Sequence, residues 1–225
     1  MGRYEQDTKD KGSQKYIQHI INNNEQSINS KILNKTNNIN NIEWVSPLKE
    51  DDYAEYTDHD FIEKLGITNL NVPLKEFWPT GGPHWDALGK SQEDHVFIVE
   101  AKSHIPEMVS NPTGATADSS LKLINESLQE TKDFLDANKN HNLDWSSYFY
   151  QYTNRLAHLY YLRIKNNIPA FLVFVYFIND KTVEGPKTKE EWRGALKLLH
   201  GYLGLKKNNK LDDYILNVFI DVENI

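Results

Sequence analysis

The sequence predicts an α/β fold in which a mixed central sheet of about five strands is flanked by helices. Apolar runs of strand length recur along the chain, and the longest covers Ala170–Ile178. Segments with apolar residues at helical spacing lie between them, as at 119–137 and 188–203. Strands come mostly first, followed by helix, strand, helix and strand. This order favours a layered sheet whose strands run in both directions.

Length and composition predict one soluble domain. The chain has 225 residues, of which 39% are hydrophobic and 12% aromatic, so it can bury a sizeable core. It contains no cysteine, which excludes disulfides, thiolate zinc sites and cysteine nucleophiles. The longest apolar run is about half as long as a membrane helix needs, and the first residues lack the apolar core of a signal peptide. We therefore expect a cytoplasmic protein.

Charge is spread unevenly along the chain. The formal net charge is −7, which is unusual for a protein that binds nucleic acid. Residues 43–63 contain eight acids and one base, whereas residues 180–210 contain eight bases and four acids. The two stretches are either solvated surface or an acidic, metal-collecting end and a basic, phosphate-facing end. The charge balance therefore neither requires nor excludes a nucleic-acid partner.

We predict a single domain over residues 1–225, with residues 1–43 as a helical N-terminal arm. Apolar residues recur at helical spacing in 14–33, and the Asn-rich run at 37–41 is expected to end the helix. The segment 44–48 reads as a turn. The remaining predicted elements are a helix at 57–65, strands at 70–78, 85–89 and 95–102, helices at 119–137 and 145–166, a strand at 170–178, a helix at 188–203 and a strand at 214–222.

The strands at 85–89 and 95–102 are expected to form an antiparallel hairpin, because the polar residues 90–94 between them are a turn signal. A turn centred on Glu93 places Asp86 directly opposite Glu100. Opposed residues on one face have Cβ atoms about 5 Å apart, close enough for two carboxylates to hold one ion. Side chains alternate along a strand, so Lys102 shares the face of Glu100.

Two carboxylates and a lysine on one patch suit metal-assisted phosphate chemistry. Mg²⁺ prefers oxygen ligands and keeps several waters, so Asp86, Glu100 and a backbone carbonyl, that of Ala101, are enough to hold it. Mn²⁺ is expected to substitute. The ion activates a water and stabilises a phosphoryl oxygen, and Lys102 can orient that water or stabilise the developing charge. From the spacing alone, an edge hairpin with a Glu–Lys surface pair remains an open alternative.

The motif and its surroundings resemble a known superfamily. Asp86, thirteen intervening residues and Glu100-Ala-Lys102 at the end of an apolar strand resemble the PD-(D/E)xK, or restriction-endonuclease-like, nucleases. Three further stretches are similar to a group of small bacterial proteins of uncharacterised function that are assigned to this superfamily. They are Trp78-Pro-x-Gly-Gly-Pro-x-Trp-Asp-Ala-Leu, Val99-Glu-Ala-Lys-Ser-His and Tyr150-Gln-Tyr-x-Asn-Arg-Leu-Ala-His-Leu. The residue before the Asp is Trp85, where the superfamily name has Pro. The resemblance runs from about residue 44 to the C-terminus.

This resemblance implies an αβββαβ core and catalysis by Asp86, Glu100 and Lys102. It implies a Mg²⁺-dependent hydrolase of phosphodiester bonds in DNA or, as second choice, RNA. A Glu of the first core helix often adds a ligand, and the two candidates here are Glu63 and Glu55. The exonuclease-like branch carries Gln-x-x-x-Tyr on a later helix. This chain has Gln151 there but Arg155 in place of Tyr, which weakens an exonuclease assignment.

Further candidates for substrate binding surround the predicted site. Gln151 and Arg155 lie on one helical face, where Arg155 could clamp a phosphate or bridge to a core carboxylate. His84 and His104 flank the hairpin and could touch a phosphate or a base; structural hydrogen bonding is the alternative. Trp78 and Trp85 could stack on bases, although aromatic residues beside a hairpin usually pack in the core.

Two other functions stay open. The first is a catalytically silent nuclease-like domain that binds nucleic acid or protein, which the net negative charge favours. The second keeps the metal but replaces the nucleic acid by a small phosphoester. Many nucleases of this type cut as dimers, so a homodimer is compatible with the resemblance, but no residue identifies a dimer face.

Overall fold

A computed structural model describes residues 2–137 and 143–225. In these ranges the strands are β1 (Arg3–Tyr4), β2 (Glu43–Ser46), β3 (Glu55–Tyr56), β4 (Ala87–Lys90), β5 (Val96–Lys102), β6 (Ala170–Ile178) and β7 (Ile215–Asp221). The helices are α1 (Gly12–Asn23), α2 (Gln26–Leu33), α3 (Asp58–Lys64), α4 (Leu74–Phe77), α5 (Asp118–Phe134), α6 (Tyr150–Tyr160) and α7 (Lys189–Leu203).

The described residues form a five-stranded mixed sheet with the order β2-β4-β5-β6-β7. Strands β2, β4 and β5 are antiparallel neighbours, whereas β5, β6 and β7 run parallel. The parallel strands are joined by helical crossovers, through α5 and α6 before β6 and through α7 before β7. The predicted α/β class with a mixed sheet flanked by helices is therefore confirmed.

Each face of the sheet is covered by a helical layer. Ile98, Leu172 and Phe174 face a core that includes side chains of α3, α5, α6 and α7. Phe97 and Val173 face the opposite core, which also contains apolar side chains of α1 and α2. Because both faces are covered, β6 is buried along almost its whole length, as its uninterrupted apolar sequence predicts. The N-terminal helices thus form one of the two layers.

The alternation of side chains between the two faces of the sheet determines which helical layer the polar residues of β5 face. Phe97, Val99 and Ala101 belong to the core beneath α1 and α2, so Glu100 and Lys102, at alternate positions, face the layer that contains α6. Sequence spacing alone fixes the alternation, whereas the identity of the covering helix comes from the tertiary structure.

Two predicted elements are wrong. Residues 70–78 do not form a strand; they contain the short helix α4. Its Leu74 and Phe77 are buried, as is Trp78 directly after it, at i, i+3 and i+4. Pro73 precedes the helix with a φ of −58°, which suits a helix start. The first strand of the large sheet is instead β2, in the segment predicted to be a turn. Trp44 is buried there and pairs with Gly89 of β4.

The other predicted elements agree with the structure within a few residues at most ends, except that the helix predicted in the N-terminal segment is divided into α1 and α2. The largest deviation is the helix predicted at 145–166, which begins at Tyr150 and ends in a π-helical turn, Tyr161–Lys165. In the described part of the chain, no helix has both the length and the apolar character needed to cross a membrane.

Candidate active site

The β4–β5 hairpin has the predicted register. Ala87 pairs with Val99 and Lys90 with Val96; the paired ladder ends at Ala87, and Asp86, predicted to lie opposite Glu100, follows just beyond it. The Asp86 amide donates to the carbonyl of Val99 at 3.1 Å, and the Ala101 amide donates to Asp86 Oδ2 at 2.6 Å. These two bonds fix Asp86 beside Glu100 at the end of the hairpin.

Glu100 is only 2% exposed and is held by two cations. Arg155 contacts Glu100 Oε2 through Nε at 2.7 Å and through Nη2 at 2.6 Å. Lys102 Nζ donates to Glu100 Oε1, and its position is fixed by a second bond to Gln151 Oε1 at 2.8 Å. Helix α6 therefore supplies both the partner of the glutamate and the partner of the lysine.

Glu55, on the short strand β3, is the third carboxylate of the site. It is buried, and the side chain of Gln14 donates to its Oε1 at 2.7 Å. Its other oxygen lies 3.9 Å from His84 Nδ1. Glu63, the second candidate for an added ligand, has an exposed side chain that pairs with His59 at 3.4 Å. Of the two candidates, the structure brings Glu55 to the hairpin.

Burial and neighbouring charges shift the pKa values of the three carboxyl groups. Burial, followed by repulsion from Glu100 and Glu55, raises the pKa of Asp86 well above its usual value. Burial also raises the pKa of Glu55, and the charge of Glu100 adds to this. For Glu100 burial acts in the same direction, but attraction to Arg155 and Lys102 outweighs it, so the pKa of Glu100 is lowered. The site thus favours an ionised Glu100, whereas Asp86 and Glu55 hold their protons more tightly than free carboxyl groups do.

Arg155 acts as a bridge between core groups in this structure. It is 3% exposed, and besides Glu100 it contacts Asn154 Oδ1 and the His84 carbonyl, each at 2.8 Å. Its guanidinium also lies over the Trp85 ring, 4.9 Å from the centroid. Of the two roles considered for Arg155, the structure shows the bridge to a carboxylate, because a buried guanidinium with these partners presents little surface to a phosphate.

The histidines near the site differ in their surroundings. His84 is partly exposed, and its ring lies 4.2 Å from that of Tyr4. His104 pairs with Glu107 in the turn that follows β5. His158 is buried among aromatic rings, and burial lowers its pKa to about 3, so it is neutral.

Neither tryptophan of the motif is available for base stacking. Trp78 is 2% exposed and Trp85 is fully buried. Both pack against the ring of His158, with centroid distances of 4.8 and 5.8 Å. Their sequence position beside the site reflects core packing.

A narrow cavity adjoins the lysine. It is bounded by residues that include Glu100, Lys102, Gln151 and Tyr176, and its volume is about 10 Å³. That volume holds about one water molecule. Lys102 therefore borders a space suited to a single solvent molecule.

Sequence reasoning missed Gln14, Tyr4 and Asn154. The Gln14–Glu55 and Tyr4–His84 contacts join residues 41 and 80 positions apart, and no motif or periodicity links such pairs. Asn154 carried a weak signal, since it adjoins Arg155 in the quoted helix motif.

The donor atoms are not arranged as a complete protein ligand set. Among residues 2–137 and 143–225, no group of three or more His, Asp or Glu side chains is placed to hold one metal ion. Both oxygens of Glu100 contact cations, and Asp86 Oδ2 accepts the Ala101 amide. Within the same ranges Asp86 Oδ1 accepts no hydrogen bond.

Comparison with known proteins adds no assignment: no protein-family model matches the chain, and neither the curated proteins nor the solved structures include a significant match.

Proposed function

We propose that this chain is a divalent-metal-dependent phosphodiesterase that hydrolyses nucleic acid, with DNA as the first substrate to test and RNA as the second. The observation that carries the proposal is the imbalance of charge at the hairpin. Three carboxylates, Asp86, Glu100 and Glu55, stand against two cations, Lys102 and Arg155. A bound divalent cation would offset the burial and the mutual repulsion that raise the pKa of Asp86 and Glu55.

The order of elements also supports a restriction-endonuclease-like core. Helix α2 is followed by the antiparallel strands β2, β4 and β5, then by α6 and the parallel strand β6. With β3, α3, α4 and α5 set aside, this succession is compatible with αβββαβ, but its first helix is α2 and its first strand β2, in place of the predicted segments 57–65 and 70–78.

Asp86 Oδ1 and Glu55 Oε2 are the oxygens best suited to hold Mg²⁺ or Mn²⁺. Glu100 Oε1 and the Ala101 carbonyl could add to them, because an oxygen that accepts one hydrogen bond keeps a second lone pair. When bound, such an ion supplies Lewis-acid stabilisation of a phosphoryl oxygen and lowers the pKa of water. Lys102, held by Glu100 and Gln151 beside the one-water cavity, would orient the attacking water and stabilise charge on the phosphoryl group.

A second candidate function is binding without turnover. The observation that favours it is the set of contacts on Glu100, whose two oxygens are paired with Arg155 and Lys102. In that case the cations neutralise the glutamate as part of the core, and the hairpin is a structural element of a nucleic-acid or protein binding domain.

The test is a titration of the purified protein with Mn²⁺ by calorimetry, alongside incubation of labelled DNA and RNA with Mg²⁺, Mn²⁺ or EDTA. We expect binding of Mn²⁺ that Asp86→Asn weakens, and cleavage that EDTA stops. Glu63→Gln is the matched control, because its side chain is exposed, and it should leave both unchanged. Absence of Mn²⁺ binding at millimolar concentration would favour the second candidate.

Metal affinity should rise with pH. Metal ligands must be deprotonated, and the pKa values of Asp86 and Glu55 are raised, so protons compete for these oxygens at pH values where ordinary carboxylates are already ionised. We expect Mn²⁺ to bind more weakly at pH 5.5 than at pH 7.5 and to release protons on binding. Calorimetry in two buffers of different ionisation enthalpy measures that release. A pH-independent affinity without proton release would contradict the assignment of these ligands.

A further inference from the structure

An aromatic ring pair borders the carboxylate site on its exposed side. Tyr4 is 43% exposed, and its ring centroid lies 4.2 Å from that of His84, at an interplanar angle of 52°. His84 is two residues before Asp86, its carbonyl accepts from Arg155, and its Nδ1 lies 3.9 Å from Glu55. The pair is therefore an exposed aromatic surface in direct contact with the groups around the candidate active site.

Backbone pairing holds Tyr4 in this position. In the antiparallel β1–β3 ladder Tyr4 lies opposite Glu55, and opposed residues project to the same face. The Thr57 amide donates to the Gly2 carbonyl at 2.7 Å, and the Gln6 amide donates to the Asp52 carbonyl at 3.0 Å. The segment is thus anchored on both sides of Tyr4.

The charges around the site argue against a duplex as the preferred ligand. Duplex DNA carries one negative charge per about 1.7 Å of helix axis, so binding it requires many basic contacts. Here Arg155 and Lys102 are paired with Glu100, and Arg3 beside the ring pair is paired with Asp51. Lys9, whose charge acts on Glu55, adds one further cation. Affinity must then come largely from contacts other than those with phosphates.

We propose that the Tyr4–His84 pair is a stacking site for an unpaired nucleobase, so that the substrate reaches the carboxylates as a single strand. A base has an apolar π-face whatever its identity, and stacking on an aromatic side chain is therefore tolerant of sequence. The inference rests on the proposed function for its biological meaning. The affinity of the stacking site for an unpaired base can be measured without cleavage.

The test is fluorescence anisotropy with labelled oligonucleotides, in Ca²⁺ in place of Mg²⁺ to suppress turnover. The ligands are single-stranded DNA, single-stranded RNA of the same sequence, the DNA duplex, and a strand in which every base is replaced by an abasic site. We expect both single strands to bind more tightly than the duplex and than the abasic strand. Tyr4→Ala should weaken binding of the single strands about 5- to 100-fold.

Tyr4→Phe keeps the ring and should retain near-wild-type affinity. Tyr202→Ala is the matched control, because Tyr202 is a similarly exposed tyrosine on α7 that contacts Phe149. Thermal unfolding of each variant checks that β1 stays in place. Equal affinity for the abasic strand, or no loss in a folded Tyr4→Ala variant, would overturn the proposal.

The experiments distinguish a failure of the stacking proposal from a failure of the phosphodiesterase proposal. If the wild-type protein binds single strands through Tyr4 but cleaves nothing with Mg²⁺ or Mn²⁺, the stacking site stands and the phosphodiesterase proposal fails. If it cleaves nucleic acid and Tyr4→Ala binds as tightly as the wild type, the phosphodiesterase proposal stands and the stacking site fails.

Discussion

Replacing Lys102 by alanine is expected to slow metal-dependent cleavage about 10²- to 10³-fold while Mn²⁺ binding persists. The ammonium of Lys102 is held between Glu100 and Gln151 and borders the cavity that holds about one water molecule. Its removal takes away a fixed positive charge from the place where negative charge develops, but it removes no metal ligand. Since one positive charge leaves the site, Mn²⁺ affinity should stay the same or increase. Single-turnover cleavage and calorimetry on the same preparation measure the two effects.

Lys90→Ala is the matched control for this variant. Lys90 lies at the other end of the hairpin strand β4, is more exposed, and pairs with Glu43 at 3.4 Å, so its loss should leave the rate unchanged. Gln151→Ala should cause a smaller loss than Lys102→Ala, because it frees the ammonium without deleting it. An unchanged cleavage rate in Lys102→Ala would identify the Glu100–Lys102 pair as structural.

The hairpin could be predicted because its determinants are local. A polar turn between two apolar runs defines both strands and their register, and the alternation of side chains then puts Glu100 and Lys102 on one face. Strand β6 could be predicted for a similar reason, since its apolar run is as long as the strand itself.

The surroundings of the hairpin could not be predicted, because they depend on tertiary contacts. The contact of Gln14 with Glu55 and that of Tyr4 with His84 arise when the N-terminal segment folds against β3. The prediction for the segment 70–78 was wrong for a different reason. Its apolar residues suit either a strand or a short helix, and burial against the α5–α6 layer favours the helix. Arg155 stayed ambiguous because a phosphate clamp and a carboxylate bridge use the same side chain at the same position.

Replacing Arg155 by leucine should destabilise the fold by about 3–5 kcal/mol, because it leaves a buried carboxylate without its main partner. Glu100 is 2% exposed, and both contacts to its Oε2 come from Arg155. The substitution also removes the guanidinium from the Trp85 ring and from the His84 carbonyl. Denaturant unfolding measures the loss. The matched control, Arg193→Leu, removes an exposed arginine paired with Glu190 at 3.4 Å, and it should change little.

A double-mutant cycle separates the charge from the packing. Adding Glu100→Gln to Arg155→Leu removes the unpaired charge, so the double variant should be more stable than the sum of the single losses predicts. Additive losses would mean that Arg155 stabilises the fold through contacts other than the ion pair with Glu100.

The pH dependence of the unfolding free energy tests the role of the Arg155–Glu100 pair independently. In the wild-type protein the pKa of Glu100 lies below its usual 4.5, so its contribution to stability is present above that pH and is lost as the pH falls. Without Arg155 we expect burial to raise the folded-state pKa of Glu100 above the unfolded value. The contribution of Glu100 then reverses, and stability is lost as the pH rises through the new pKa. The difference in unfolding free energy between wild type and Arg155→Leu should therefore be larger at pH 8 than at pH 5. A difference independent of pH would show that Glu100 stays ionised without Arg155, with Lys102 and solvent as its remaining partners.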